Sequence, residues 1–192
     1  MMRDKTPVFY GPVNSGWPEK DSRNTGYLIE YAQFRRPLDP ELPEYPGNNI
    51  VFQRELLEAV SLVGAGFQKT FFLRQVKEKL GITPSACNGM IVTYRKQYDW
   101  NYYLRRRYCH GRLYGASHAE VLGSRRYLYA AGILILPLLR YSRILLAAKR
   151  APALYRSVLR FSMSILVSEC AWSLGECSGY IAGPPEDGLF LD

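Results

Sequence analysis

The sequence predicts an α/β fold followed by a pair of apolar C-terminal helices. Two observations carry that expectation. Strand-like and helix-like segments alternate from residue 7 to residue 94, and the apolar residues then gather into two blocks, 128–139 and 158–183. A third observation concerns charge: 25 Lys and Arg stand against 17 Asp and Glu, a formal net charge of +8. Basic excess of this size suits nucleic acid, an anionic membrane face or phosphate-bearing substrates. The 47% hydrophobic fraction is ordinary for a globular protein, so the distribution of apolar residues is informative and their number is not.

The elements follow in order. PVFYGPV at 7–13 reads as a strand ending at a Gly-Pro turn, and GYLIEYAQF at 26–34 as a helical segment with aromatics on one face. PLDPELPEYP at 37–46 is an irregular surface loop, because closely spaced prolines remove backbone donors and fix φ. GNNIVFQRELLEAV at 47–60 begins as a strand, 49–53, and continues as a helix with Glu55, Leu56, Leu57 and Val60 on helical spacing. FQKTFFLRQVKEKLG at 67–81 is an amphipathic helix that places Phe72, Val76 and Leu80 on one face and stops at Gly81. A strand at 90–94 follows, then an aromatic and arginine-rich helix at 98–119. Three strands make a small sheet for an α/β fold, and the chain is expected to begin within a larger one. The predicted division is an α/β region at 1–122 and a helical pair at 123–192.

The first apolar block, LYAAGILILPLL, is twelve uncharged residues, short of the roughly 20 that cross a bilayer. Its continuation carries Arg140 and Arg143, the pattern of an interfacial amphipathic helix, and Pro137 is expected to kink it. The second block contains Arg160, Glu169 and Glu176. The two carboxylates lie seven residues apart, on one helical face, and in lipid that face must turn toward protein or water. Arginines before and between the blocks, with Tyr127, Tyr129, Trp172 and Tyr180 as interfacial anchors, favour a hairpin held at a membrane. A soluble helical pair covering the core is the alternative.

Cys87, Cys109, Cys170 and Cys177 lack CxxC spacing and read as reduced, buried thiols of an intracellular protein. His110 and His118 have no acidic or cysteine companion nearby, so the sequence offers no metal site. The opening residues 1–20 are polar and do not form a signal peptide. Tyrosines interleaved with arginines at 98–119 are also what single-stranded nucleic-acid surfaces use, yet no RNA-binding fingerprint accompanies them, and nucleic acid is not an expected partner.

Taken in order, five segments resemble the C-terminal half of bacterial family 2 glycosyltransferases. PVFYGPV resembles the strand that follows the nucleotide-binding half. PGNNIVFQRELL at 46–57 resembles the glycine-asparagine strand and its helix. The helix at 67–81 with IVTY after it, and YLRRRYCHGRLYGA at 103–116, match the acceptor-side order. RRYLYAAGILILPLLRYSRIL at 125–145 and AWSLGECSGYIAG at 171–183 resemble the paired membrane-associated helices. The resemblance covers residues 7–183 and rests on the order of the segments, none of which is specific alone.

It implies a partial GT-A-like domain lacking its N-terminal half, followed by a helical hairpin at the cytoplasmic face of the inner membrane. The implied activity is sugar transfer from a nucleotide sugar to a glycan or lipid-linked acceptor, with membrane lipids and a chain supplying the nucleotide-binding half as partners. A divalent Mg or Mn, held by an aspartate-rich motif, is implied for the complete enzyme and no cofactor for this chain. Asn48, Asn49, Arg106, Arg107 and Arg112 become substrate-binding candidates, the asparagines toward sugar and the arginines toward diphosphate or an anionic lipid carrier. Three departures stand out. No aspartate motif occurs in these residues; Gln68, Lys69 and Thr70 stand where the family carries an acidic residue; and Arg106-Arg107 replaces Gln-Arg. A sugar hydroxyl needs a base to become nucleophilic. Glu78, flanked by Lys77 and Lys79, reads as a solvated helix charge, and Asp99 has no better claim. A non-catalytic membrane-bound scaffold derived from such an enzyme is the alternative reading.

Overall fold

The computed structural model describes residues 7–38, 44–59, 69–149 and 151–184. Its elements run β1 (Val8–Tyr10), β2 (Val13–Ser15), α1 (Thr25–Glu30), β3 (Ile50–Phe52), α2 (Arg54–Ala59), α3 (Lys69–Leu80), β4 (Ser85–Ala86) and β5 (Val92–Tyr94). The helices α4 (Trp100–Leu122), α5 (Arg126–Ala131), α6 (Leu136–Ala148), α7 (Pro152–Arg160) and α8 (Ser162–Ala182) complete the chain. These form two compact units, one from Met1–Gly16 with Glu30–Arg95 and the other from Trp17–Ile29 with Lys96–Asp192. The unit boundary therefore falls before α4, not after residue 122. The reason is packing: α4 lies along α8, so it belongs with the C-terminal helices.

The first unit is built on two small sheets. β1 pairs antiparallel with β3 (Val8 opposite Phe52) and parallel with β4, while β2 pairs parallel with β5. The expected single strand at 7–13 is two strands, divided where Gly11 and Pro12 turn the chain. Strand alternation turns Val8 and Tyr10 inward and leaves Phe9 outward. Val8, Leu56, Phe72, Leu73 and Val76 form the core, with Tyr45, Ile50, Phe52 and Ile82 packed against it. The Phe52 and Phe72 rings meet edge to face at 5.1 Å. Helix α3 takes the expected stripe through Phe72 and Val76, but Leu80 in its last turn is exposed. Gly81, at φ +67°, donates its N–H to the Lys77 carbonyl and ends the helix in a conformation open to glycine at little cost. Val60 and Gln68 lie outside the described residues.

The corner between β1 and β2 is held by one side chain. Asn49 is buried, and its Nδ2 donates to the carbonyls of Pro12 at 2.9 Å and Met90 at 2.6 Å, while Gly11 N–H donates to the Asn49 carbonyl at 3.0 Å. A Cβ on Gly11 would strike the Met90 carbonyl, so glycine is required for this approach. Asn49→Ala is expected to lose about 1–3 kcal/mol, because the carbonyls of Met90 and Pro12 each lose a donor, the Pro12 carbonyl keeping only that of Val92 N–H. Urea unfolding measures this, and a loss below ~0.5 kcal/mol would refute the strut.

The second unit is helical. The predicted block 128–139 is not one helix: α5 passes through a 3-10 turn at Gly132–Leu134 and α6 starts afresh. Pro137 sits in the first turn of α6, where its missing N–H costs nothing, and the helical path bends by 68° at the break just before it. The 158–183 block also divides, at Phe161 between α7 and α8, and α8 ends at Gly183 with φ +78°. In the 17–29 segment, Asp21 accepts from the Arg23 side chain and backbone N–H, and Arg23 stacks on Trp17 at 4.0 Å. The Arg23 side-chain hydrogen bond, aided by that backbone N–H, holds the Asp21 carboxyl at about 2, below its usual 3.8. A depressed folded value stabilises above the unfolded pKa and is lost as pH falls toward 2. The Asp21 carboxyl carbon shift is expected to titrate near 2 and to return toward 3.8 in Arg23→Gln.

Candidate functional site

Helices α4 and α8 cross with their backbones in contact. Gly111 and Gly115 lie four residues apart on α4, and Gly175 and Gly179 four apart on α8, so each pair forms one flat face. A Cβ on Gly111 would meet the Trp172 carbonyl, and one on Gly115 the Glu176 carbonyl. Reciprocally, Gly175 faces the Tyr108 carbonyl and Gly179 the Arg112 carbonyl. Small residues at this spacing permit the close approach typical of packed membrane helices. The helices run parallel, since Arg107 meets Glu169 near their starts and His118 meets Tyr180 near their ends.

Beside this crossing lies a four-charge network. Arg107 Nη2 donates to Glu169 Oε1 at 2.7 Å, and Arg140 Nη2 to Glu176 Oε2 at 2.8 Å. Arg140 Nη1 also stands 3.9 Å from Glu169 Oε2, so α6 bridges both acids. Trp172 Nε1 and Tyr180 Oη donate to Glu176 at 3.2 and 2.8 Å, and the Tyr180 hydroxyl lies 3.0 Å from His118 Nδ1. The Trp172 ring carries the guanidinium of Arg107 at 4.5 Å and that of Arg140 at 5.0 Å. Both carboxylates are buried, with two arginines to balance them. The expectation that the carboxylate face turns inward is met by named partners.

The opposite face of α8 carries the reverse composition. Met163 is 74% exposed, Leu174 and Ile181 60% each, and Val167 40%, with Cys170 exposed among them. The inward face is Ile165, Ser168, Glu169, Ser173, Gly175, Glu176, Gly179 and Tyr180. Soluble helices bury the apolar stripe and expose the polar one; α8 buries both of its carboxylates beside Ile165 and Tyr180 and leaves Met163, Leu174 and Ile181 outside. On the α5 to α6 segment, Leu128, Leu134, Ile135, Leu138, Leu139 and Leu146 are also exposed. No single described helix is long and apolar enough to cross a membrane; one bent pair, Trp100–Leu134 with Leu136–Ala148 at 68°, passes that test by length and composition.

The site residues expected from the sequence separate. Asn48 is exposed in the first unit, whereas Asn49 spends both amide N–H groups on backbone carbonyls there. In the second unit the three arginines do not converge. Arg107 faces inward onto Glu169; Arg112 donates to the carbonyls of Gly183 and Pro184, capping α8; Arg106 stacks against Tyr102 at the start of α4. Asp99 caps the N-terminus of α4 by accepting from Tyr102 N–H, a structural task. The expectation of four buried thiols is corrected: Cys109 is buried, Cys87 and Cys177 are half-buried, and Cys170 is exposed on the outward face of α8.

Helical spacing identifies Glu169 and Glu176 as a shared face, but it does not reveal Arg140 as the bridge or the glycine crossing. The glycines do leave a signal in the sequence, two Gly-x-x-x-Gly spacings. Comparison with family models, with curated proteins and with solved structures finds no match.

Proposed function

We propose that this chain is the acceptor-side, membrane-associated part of a nucleotide-sugar-dependent glycosyltransferase, acting with a nucleotide-binding half supplied from outside residues 1–192. The observation that carries membrane association is the exposed apolar face of α8, Met163, Leu174 and Ile181, on a helix whose charges are paired inward. Transfer is supported by the order of the five family-like segments between residues 7 and 183. Of the candidates, Asn49, Arg107 and Arg112 are engaged inside their own units and Arg106 is held against Tyr102, so the exposed Asn48 is the one for sugar contact. The divalent ion that the resemblance implies belongs with the aspartate-rich motif of the nucleotide-binding half. No general base is assigned, because residues 68–70 hold no carboxylate.

The test uses native membranes prepared with and without this chain, incubated with a panel of tritiated nucleotide sugars and Mg. Loss of incorporation from one donor, restored by adding the chain back, supports transfer. Incorporation that is unchanged for every donor overturns it and leaves the non-catalytic scaffold, which the absent carboxylate at the start of α3 favours.

A further inference from the structure

We infer that the outward face of α8 docks into a membrane leaflet rich in anionic phospholipid; this rests on the reading of the chain as membrane-associated. The face is defined by Met163, Val167, Leu174 and Ile181, which project from one side of the helix around the exposed Cys170. Burying such side chains among acyl chains removes apolar area from water, and that burial drives the binding of interfacial helices.

Charge identifies the occupant. Between residues 100 and 184 the sequence holds twelve Lys and Arg against three Asp and Glu. Two of those acids, Glu169 and Glu176, are paired internally with Arg107 and Arg140. That leaves Glu120 as the one acid against ten basic residues. Arg156 and Arg160, both exposed, stand immediately before α8, with Lys149 and Arg143 exposed at the end of α6. Each basic residue near an anionic leaflet contributes attraction, and aromatic residues at helix ends mark the headgroup level. Exposed Trp100 and Tyr102 occupy the start of α4, and exposed Tyr127 and Tyr129 lie on α5. A second copy of the chain would set this basic surface against itself, and like charges repel. An anionic leaflet satisfies both the apolar face and the charge.

The full chain is tested by flotation with phosphatidylcholine vesicles and with vesicles containing phosphatidylglycerol. Binding is expected to favour the anionic vesicles and to weaken at high salt. Leu174→Glu is expected to reduce it at least ~10-fold, and Arg156→Glu with Arg160→Glu at least ~20-fold. All three positions are exposed, so the melting temperature should not move; Met163→Glu provides an independent variant of the same face. Binding that ignores phosphatidylglycerol overturns the anionic partner. Binding indifferent to Leu174→Glu and Met163→Glu overturns the face. Cys170 to Cys170 cross-linking without vesicle binding assigns the face to a second copy and overturns the proposal. No flotation with either vesicle removes membrane association altogether. Sugar incorporation is a separate readout, so a failed transferase reading with intact flotation is recognised as such.

Discussion

Gly175→Val is expected to separate α4 from α8 and to unfold the second unit at temperatures where the native chain is intact. The added atoms would occupy the space of the Tyr108 carbonyl, which is backbone and has no rotamer to escape into. Separating the helices would also pull Gly179 from the Arg112 carbonyl and Arg107 from Glu169, so the loss spreads beyond one contact. Overpacking costs typically ~1–3 kcal/mol, and here the whole crossing moves, so a loss above ~4 kcal/mol is expected. Thermal unfolding followed by helical circular dichroism measures it. Gly132→Val is the control, since a Cβ there meets nothing. If Gly175→Val melts like the native chain, the close crossing is refuted.

The second large effect is expected at Glu169. Glu169→Leu leaves Arg107 buried without its carboxylate and removes one of the two acids that Arg140 faces. Breaking a buried pair from one side costs about 3–5 kcal/mol, mostly the desolvation of the orphaned charge. The double variant Glu169→Leu with Arg107→Met removes both charges and is expected to recover most of the loss. Denaturant unfolding of the two variants decides the matter. Equal destabilisation in both would show that Arg107 and Glu169 contribute through packing alone, and the ion pair would lose its assigned role.

Local signals make much of the first unit legible. The helix stop at Gly81 is readable because glycine adopts positive φ cheaply, and the core positions Phe72 and Val76 because helical periodicity is local. Leu80 departs from the stripe because the last turn of α3 runs past the core. The place of Asn49 after Gly47 suggests a sugar contact, yet its amide is committed to carbonyls 37 and 41 residues away in sequence. No local pattern announces such a pairing.

The second unit shows the same division more sharply. Sequence by itself determined that Glu169 and Glu176 share a face and that arginines lie before and between the two apolar blocks. Those follow from the 3.6-residue period and from composition. Tertiary structure alone decided which arginines answer the acids, because Arg107 and Arg140 reach α8 from two different helices, 62 and 36 residues away from their partners in sequence. It also decided that α4 leaves the α/β region to join α8: four glycines let two backbones touch, and a contact made of absent side chains exists only when both helices are present.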